Sequence, residues 1–388
     1  MTLTKTDTAF LKGIAILMIV LHNFCHHLPM SVTENEYTFS PDRILRLWHY
    51  CCQGGPHVVL NLFSHFGHYG VPLFLFLSGY GLVRKYEKNA PPMLSLPGHI
   101  RADAGFILTH ARKLWRLMLP AIAIYWAWVM WSGGAWKVSA TDLLAMVTFT
   151  SNLLIKRNLI LGPWWFFSLI LQLYIIYRII FYHFRSQRVL LGVTALFFLI
   201  QAFLYFADVR LTPDGRIALF DTDPYHTDLF NYGRYNALAW LLPFAAGIFA
   251  ARSQWAENCK PSRTTLIACS LTGTLLLAVA ALDAFQWLLS PLYLLLAMLP
   301  MAFLVKGKTW RKAMEWTGTI SATIFALHPI ARAVTITAAK NAERTGQWML
   351  TYCHIALYLL LTFFSAWVLN AVLGWYTRKC HGALPPKS

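Results

Sequence analysis

The sequence predicts an all-α integral membrane protein, a bundle of about ten transmembrane helices with both termini in the cytoplasm. Of its 388 residues, 57% are hydrophobic and only 13% are charged, whereas soluble proteins carry about 25% charged residues. The mean hydropathy is +0.49. Because no polar linker interrupts the apolar stretches, we expect residues 1–388 to form a single membrane-embedded domain without a separate soluble domain.

Ten apolar stretches are long enough to cross a bilayer, which takes about 20 residues per helix. They lie at 9–27, 57–83, 114–134, 161–183, 189–206, 235–251, 264–282, 285–305, 317–338 and 350–376. A shorter apolar stretch at 140–155 contains Ser151 and Asn152 and is followed by Lys156 and Arg157, so we expect a re-entrant or interfacial segment there. The first stretch lacks a small-residue cleavage site, which favours a retained helix over a signal peptide.

The charge pattern predicts the orientation of the helices. A net charge of +17 would suggest nucleic acid in a soluble protein. In a membrane protein the same cations flank helices on the cytoplasmic side and contact anionic lipid, so we predict membrane lipids as partners and no nucleic acid. With ten crossings, most Lys and Arg residues of the loops fall on the side of the termini. The aromatic segment 28–56 and the Asp-rich loop 207–234 then lie outside.

The first apolar stretch carries two ionisable residues at very different depths. Lys12 and His22 are separated by roughly 15 Å along a helix, and a titratable ring inside a membrane is a candidate functional group. The residues alone leave open whether His22 is a general base or a structural histidine. His26 shares a helix face with His22, but no HExxH carboxylate accompanies them and the seven cysteines show no metal or disulfide spacing. We therefore predict no metal.

Two further groups of polar residues stand at the ends of predicted spans. Cations follow the second span and precede the third, and they either flank the membrane or form a phosphate-binding mouth; they are Arg84, Lys85, Arg112, Lys113 and Arg116. Gly67, Gly70 and Pro72 in the second span favour a kink or close helix packing. In the ninth span, His328 precedes a proline and stands four residues before Arg332.

Four separated segments together resemble one family. They are LKGIAILMIVLHNF at 11–24, GVPLFLFLSGYGL at 70–82, PWWFFSLILQLY at 163–174 and ISATIFALHPI at 320–330, with RKLWRLMLP at 112–120 as a further basic segment. The chain resembles the membrane-bound acyltransferase 3 family, whose members move acyl groups from cytoplasmic acyl-CoA to sugars outside the membrane. In that family ten residues separate the first-helix cation from the catalytic histidine. Here nine residues separate Lys12 from His22, and Asn23 occupies the family's position.

The resemblance implies a function and a set of site residues. The implied activity is O-acyl transfer, most simply of acetyl from acetyl-CoA, to a glycan or lipid-linked sugar outside a bacterial inner membrane. His22 would be the catalytic residue. The positions implied for CoA are Lys12, Arg84, Lys85, Arg112 and Arg116, and those implied for the substrate or its tunnel are Asn23, Tyr80, Trp164, Trp165 and His328.

Two other classes of function fit ten helices. A transporter or flippase would move a glycan precursor without chemistry, and it would bind no acyl-CoA. A pH sensor would use His22, His26 and His27, since histidine titrates near neutral pH. The acceptor, the acyl chain and the oligomeric state are left open by the sequence.

Overall fold

The computed structural model describes residues 2–87, 96–153, 159–253 and 261–382, and it is 76% helical. The α-helices are Lys5–Cys25 (α1), Asp42–Gln53 (α2), His57–Phe66 (α3), Gly70–Tyr86 (α4), Leu96–Trp131 (α5), Ala140–Val147 (α6), Trp165–Ile176 (α7), Gln187–Phe206 (α8), Leu229–Gly233 (α9), Ala237–Arg252 (α10), Arg263–Ala280 (α11), Ala284–Met298 (α12), Met301–Leu304 (α13), Thr309–Thr319 (α14), Ser321–Arg344 (α15) and Trp348–Gly382 (α16). Short 3₁₀ turns at Gly67–Tyr69 and Gly162–Trp164 precede α4 and α7, and Tyr177–Phe181 is π-helical.

The predicted all-α membrane bundle is confirmed. In the described part of the chain, nine helical segments are long and apolar enough to cross a membrane. The remaining predicted span, 235–251, which is the sixth in chain order, is the shorter apolar helix Ala237–Arg252. The largest differences in the boundaries concern two spans. The third begins at Gly98 and not at 114, and the ninth runs over Ser321–Arg344 and not over 317–338, because Ile320 leaves helical geometry between α14 and α15.

Contacts between distant residues define two faces of the bundle. On one face, Asp7 near the start of α1 forms a 2.6 Å ion pair with Arg311 of α14, and the Tyr80 hydroxyl accepts a hydrogen bond from the backbone of Leu3. We call this the terminal face. On the opposite face, the Met30 N–H donates to Glu343 and the Tyr352 hydroxyl donates to the carbonyl of Pro56. Assignment of the terminal face to the cytoplasm stays a prediction from the charge pattern.

Small residues bring α1 to backbone distance from its neighbours. A Cβ on Gly318 of α14 would lie 1.8 Å from the Ala9 carbonyl oxygen, and a Cβ on Gly13 would lie 2.0 Å from that of Met314. Gly70 at the start of α4 approaches the Ala15 carbonyl in the same way, at 2.4 Å. The close packing predicted at Gly67 and Gly70 is thus present, and it holds α1 in the centre of the bundle.

Residues 28–41, which we call the strap, fold back over the bundle on the face opposite the termini. The predicted outside loop is thus packed against the helices and hydrogen-bonded to them. Side chains from α3 hold its backbone: the Val32 N–H donates to Asn61 at 2.6 Å, and the Ser64 hydroxyl donates to the Val32 carbonyl at 2.7 Å. From further along the chain, Trp287 donates to the carbonyl of Asn35 at 2.5 Å. The strap therefore covers the face of the bundle opposite the termini, which we call the strap face.

Two other segments on this face are non-spanning, as predicted. In the stretch 140–155, the described residues 140–153 form α6 and a turn, in which the buried Ser151 and Asn152 bond to Ser168 and Gln172 of α7. Residues 154–155, Lys156 and Arg157 lie outside the described residues. The Asp-rich loop folds into a three-stranded antiparallel sheet of order β2-β1-β3, from Arg210–Leu211 (β1), Ile217–Ala218 (β2) and Thr227–Asp228 (β3).

Candidate active site

His22 stands in the last turn of α1, where its ring is nearly fully buried at 5% exposure. Its Nδ1 lies 2.8 Å from the carbonyl oxygen of Ser64. A carbonyl only accepts hydrogen bonds, so Nδ1 carries the proton and Nε2 carries the lone pair. Nε2 faces a carboxylate oxygen of Glu36 at 3.9 Å. A hydroxyl bound between these two groups could therefore lose its proton to His22.

The approach of α1 to the 3₁₀ turn after α3 explains how this geometry is held. A Cβ on Gly67 would lie 2.5 Å from the Cβ of His22 and 2.6 Å from the carbonyl oxygen of Met18. Only glycine permits that contact, which presses the turn against the backbone beneath His22. The same turn carries His68, whose ring packs edge-on against that of His22 with centroids 5.7 Å apart.

The strap places two carboxyl groups next to these rings. Burial would raise the pKa of Glu34, but the hydrogen bond from His26 and the nearby histidine charges outweigh burial and lower it below its ordinary value. The pKa of Glu36 is raised to about 8, first by burial and then by the negative charge of Glu34, against the opposing effect of Arg234. Near neutral pH, Glu34 is ionised and Glu36 is protonated. Glu34 can therefore only accept hydrogen bonds, whereas Glu36 can also donate one.

Arg234 holds the strap through a hydrogen bond to its backbone. Its Nε donates to the Glu36 carbonyl at 2.7 Å, and its guanidinium stacks over the rings of Trp240 and Trp287, 4.7 and 5.4 Å from their centroids. Burial lowers the pKa of Arg234 to about 10, so this residue stays charged at neutral pH. The position of Glu36 next to His22 is thus fixed through its backbone.

The rings and Glu34 also form a possible metal-binding set. Ligand atoms of His22, His26 and Glu34 all lie within 4.8 Å of one another, and His26 Nδ1 is 2.7 Å from Glu34 Oε2. Two imidazoles and a carboxylate form a ligand set that is suitable for zinc. A zinc-bound histidine usually donates its other ring N–H to a carbonyl or carboxylate group, as Nδ1 of His22 does to the Ser64 carbonyl. The sequence predicts no metal because no carboxylate stands at HExxH spacing, but the fold brings Glu34 within reach of His22 and His26.

Two cavities meet beside α1. The first, which we call the histidine cavity, measures about 360 Å³ and is lined by His22, Glu36 and Arg332, among others. The second, the lysine cavity, measures about 170 Å³ and extends toward the terminal face. It is lined by Lys12, Ser78 and Tyr174. Both cavities touch the same three side chains, which therefore form the partition between them: Ile19, Phe166 and Phe325.

Some of the predicted site residues line these cavities. Asn23 and Trp165 line the histidine cavity, and Lys12 lines the lysine cavity. The other three predicted substrate residues are placed elsewhere. Trp164 is fully buried and donates to the Ala326 carbonyl at 3.0 Å, His328 is fully buried with Nδ1 on the Phe325 carbonyl, and Tyr80 lies near the terminal face. Their roles in substrate binding stay predictions.

The structure brings only part of the predicted set of CoA-binding cations together. Arg84 lines a cavity of about 510 Å³ with Arg185 and Arg252, which we call the arginine cavity. Glu87 neutralises Arg252 through a 2.7 Å ion pair. Lys85 lies close enough to Lys113 for the two ammonium groups to interact. The side chains of Arg112 and Arg116 are exposed and line neither this cavity nor the other two.

Four residues that line or support the histidine cavity were not predicted from the sequence: Glu34, Glu36, His68 and Arg234. One signal could have pointed to the two acids. The chain has only 16 acidic residues, and two of them stand in the run 33–37, directly after the first helix. No comparable signal marks Arg234, since it follows an Asp-rich loop and its contact with the strap joins residues almost 200 positions apart.

Glu36 makes thermal stability depend on pH. Its pKa is raised above the unfolded value, so the folded state holds more protons and loses stability as pH rises from about 4.5 to 8. Replacing Glu36 by glutamine removes this pH-dependent contribution to stability. We expect the wild-type melting temperature in detergent, minus that of Glu36→Gln, to fall by at least about 2 °C between pH 5 and pH 9. A difference that stays constant over this range would show that Glu36 does not titrate there.

A comparison with known protein families identifies the family of this chain. Residues 9–371 match the acyltransferase domain of the acyltransferase 3 family, which is nearly the whole chain. Comparisons with curated proteins and with solved structures found no match. The matched range includes α1 with Lys12 and His22, the strap and both cavities. The protein therefore belongs to the acyltransferase 3 family.

Proposed function

We propose that the protein is an acyl-CoA-dependent O-acyltransferase, which moves an acetyl group from acetyl-CoA on the cytoplasmic side to a hydroxyl of an extracytoplasmic glycan or glycolipid. The family supports acyl transfer. The observation that carries the finer proposal is the pair of cavities meeting at Ile19, Phe166 and Phe325, with Lys12 on one side and His22 on the other. Donor and acceptor can approach this partition from opposite faces.

The donor would enter at the terminal face. Arg84 and Arg185 in the arginine cavity offer cations for the phosphate groups of CoA. The lysine cavity is narrow and mostly apolar, which suits a pantetheine arm, and Lys12 stands in its wall. The thioester would then reach the partition beside Phe166 and Phe325.

The acceptor would enter the histidine cavity from the strap face. Its volume of about 360 Å³ falls in the usual range for small-ligand sites. A sugar hydroxyl placed near Nε2 of His22 gives up its proton there, and its oxygen forms a bond to the thioester carbonyl carbon. When the carbon–sulfur bond breaks, the proton passes from His22 to the departing CoA thiolate. Protonated Glu36 can donate a hydrogen bond to the reacting hydroxyl or to the developing oxyanion.

The setting proposed for this reaction is a bacterial inner membrane, with cell-envelope polysaccharide or a lipid-linked sugar as the acceptor. Trp165 in the wall and Tyr37, stacked on Tyr235 with centroids 4.6 Å apart, offer aromatic faces to a sugar ring. Such rings provide apolar contact while their polar atoms reach hydrogen-bond partners.

Acyl-CoA binding and hydrolysis by the detergent-purified protein test this function. We expect calorimetry to detect acetyl-CoA binding and a thiol reagent to detect slow CoA release without an added acceptor. CoA release should increase when a sugar acceptor is supplied. If no acyl-CoA binds, the acyltransferase mechanism fails for this chain and transport of a glycan precursor becomes the better account.

A further inference from the structure

Arg332 is a cation deep in the bundle. It stands twelve residues before Arg344, the last residue of α15, which is about 18 Å along the helix axis. That depth exceeds the length of an arginine side chain, so Arg332 cannot place its charge in water at the end of its own helix. An ionisable group held inside a membrane protein is costly and marks a functional site. Its guanidinium lines the histidine cavity instead.

Among the described residues, Arg332 makes hydrogen bonds through one of its nitrogens only. Nη1 donates to the carbonyl oxygen of Asn23 at 3.0 Å and to its side-chain oxygen at 3.3 Å. That carbonyl belongs to the last turn of α1, and the N–H of His27 bonds to Phe24 instead. Arg332 thus caps the C-terminus of α1, where a cation is favourable. The cap leaves the Nε and Nη2 donors available to the cavity.

No carboxylate balances this charge among the described residues. The closest acids of the cavity are engaged elsewhere, since Glu34 pairs with His26 and Glu36 faces His22. Within residues 2–87, 96–153, 159–253 and 261–382, no acidic oxygen lies within 4.0 Å of the Arg332 guanidinium. A half-buried guanidinium that lines a cavity with two further donors and no carboxylate beside it can bind an oxyanion.

We propose that Arg332 binds a carboxylate or phosphate on the molecule that occupies the histidine cavity. This inference rests on the proposed function and names the substrate class of its site. The oxyanion has two possible sources. It belongs to the acceptor, such as a uronic acid or a sugar phosphate, or it is the free carboxylate of a dicarboxylic acyl group such as succinyl.

The position of Arg332 ties this binding to the reaction. Arg332 holds Asn23, the residue adjacent to His22, so an oxyanion on Nη2 lies on the same wall as the proposed base. Bidentate or charge-assisted bonds from a guanidinium fix orientation as well as affinity. An anionic group seated there directs a neighbouring hydroxyl or thioester toward Nε2 of His22.

Matched ligand pairs measured by calorimetry on the full chain in detergent test the proposal. Each pair differs in one anionic group: p-nitrophenyl glucuronide against the glucoside, mannose 6-phosphate against mannose, and succinyl-CoA against acetyl-CoA. We expect the wild type to bind the anionic member of at least one pair about 10-fold more tightly, the gain of a single charge-assisted contact. A preference in the sugar pairs assigns the oxyanion to the acceptor, and one in the CoA pair assigns it to the acyl group.

Three variants identify the residue responsible. Arg332→Gln should lose the preference, and Arg332→Lys should keep part of it because the charge remains without the planar fork. Arg344→Gln, the same charge change on an exposed residue of α15, should behave as wild type. Elution profile and melting temperature establish that each variant is folded. The proposal is overturned if the wild type prefers no anion in any pair, or if a folded Arg332→Gln protein keeps the preference. Failure to bind acetyl-CoA would refute the proposed function while the sugar pairs still test Arg332.

Discussion

Replacing His22 by alanine is expected to reduce acetyl transfer and CoA release by about 10²- to 10⁴-fold, the usual contribution of a positioned general base. The affinity for acetyl-CoA should change little, because the lysine cavity and the arginine cavity do not include this side chain. Calorimetry and a continuous thiol assay on the same preparation separate the two effects.

His110 provides a matched control for this variant. Like His22 it is a buried histidine whose Nδ1 lies 2.8 Å from a backbone carbonyl, that of Phe106. It lines none of the three cavities described above. His110→Ala should therefore keep its turnover, apart from any loss of stability. Equal turnover in wild type and His22→Ala would remove His22 from the chemistry.

Introducing a side chain at Gly318 is expected to damage the fold more than any exposed substitution. The added Cβ of Gly318→Ala would lie 1.8 Å from the Ala9 carbonyl oxygen and 3.0 Å from the backbone nitrogen of Gly13. Neither atom can move without displacing α1, so we expect a loss of at least about 2 kcal/mol and a melting temperature lower by several degrees. Because α1 carries both Lys12 and His22, turnover should fall in parallel.

Gly374→Ala is the control for the glycine variant. This glycine lies in α16, and a Cβ there meets no atom within 4 Å. In a helix the change from glycine to alanine is favourable by up to about 1 kcal/mol. We expect Gly374→Ala to melt at or above the wild-type temperature. Similar melting temperatures for both variants would contradict the backbone contact between α1 and α14.

Much of the architecture could be predicted from composition and apolar runs. Ten hydrophobic stretches indicated a membrane bundle, and Gly67 and Gly70 indicated close packing, because a bilayer permits few solutions for long apolar segments. The sixth span, 235–251, was predicted although its helix is shorter than those of the other nine spans. The resemblance at four separated segments agrees with a family match over residues 9–371.

The sequence by itself determined the class of the protein and the position of Lys12 and His22 within one apolar helix. Only the tertiary structure decided what surrounds them. Glu36 reaches His22 because the strap folds back, and Arg332 reaches Asn23 from 309 positions away. Such contacts depend on how helices pack and how loops return across a face. The local rules of apolar periodicity and helix capping carry no information about those distances, which is why the acids of the strap and the unbalanced guanidinium appear only in the folded protein.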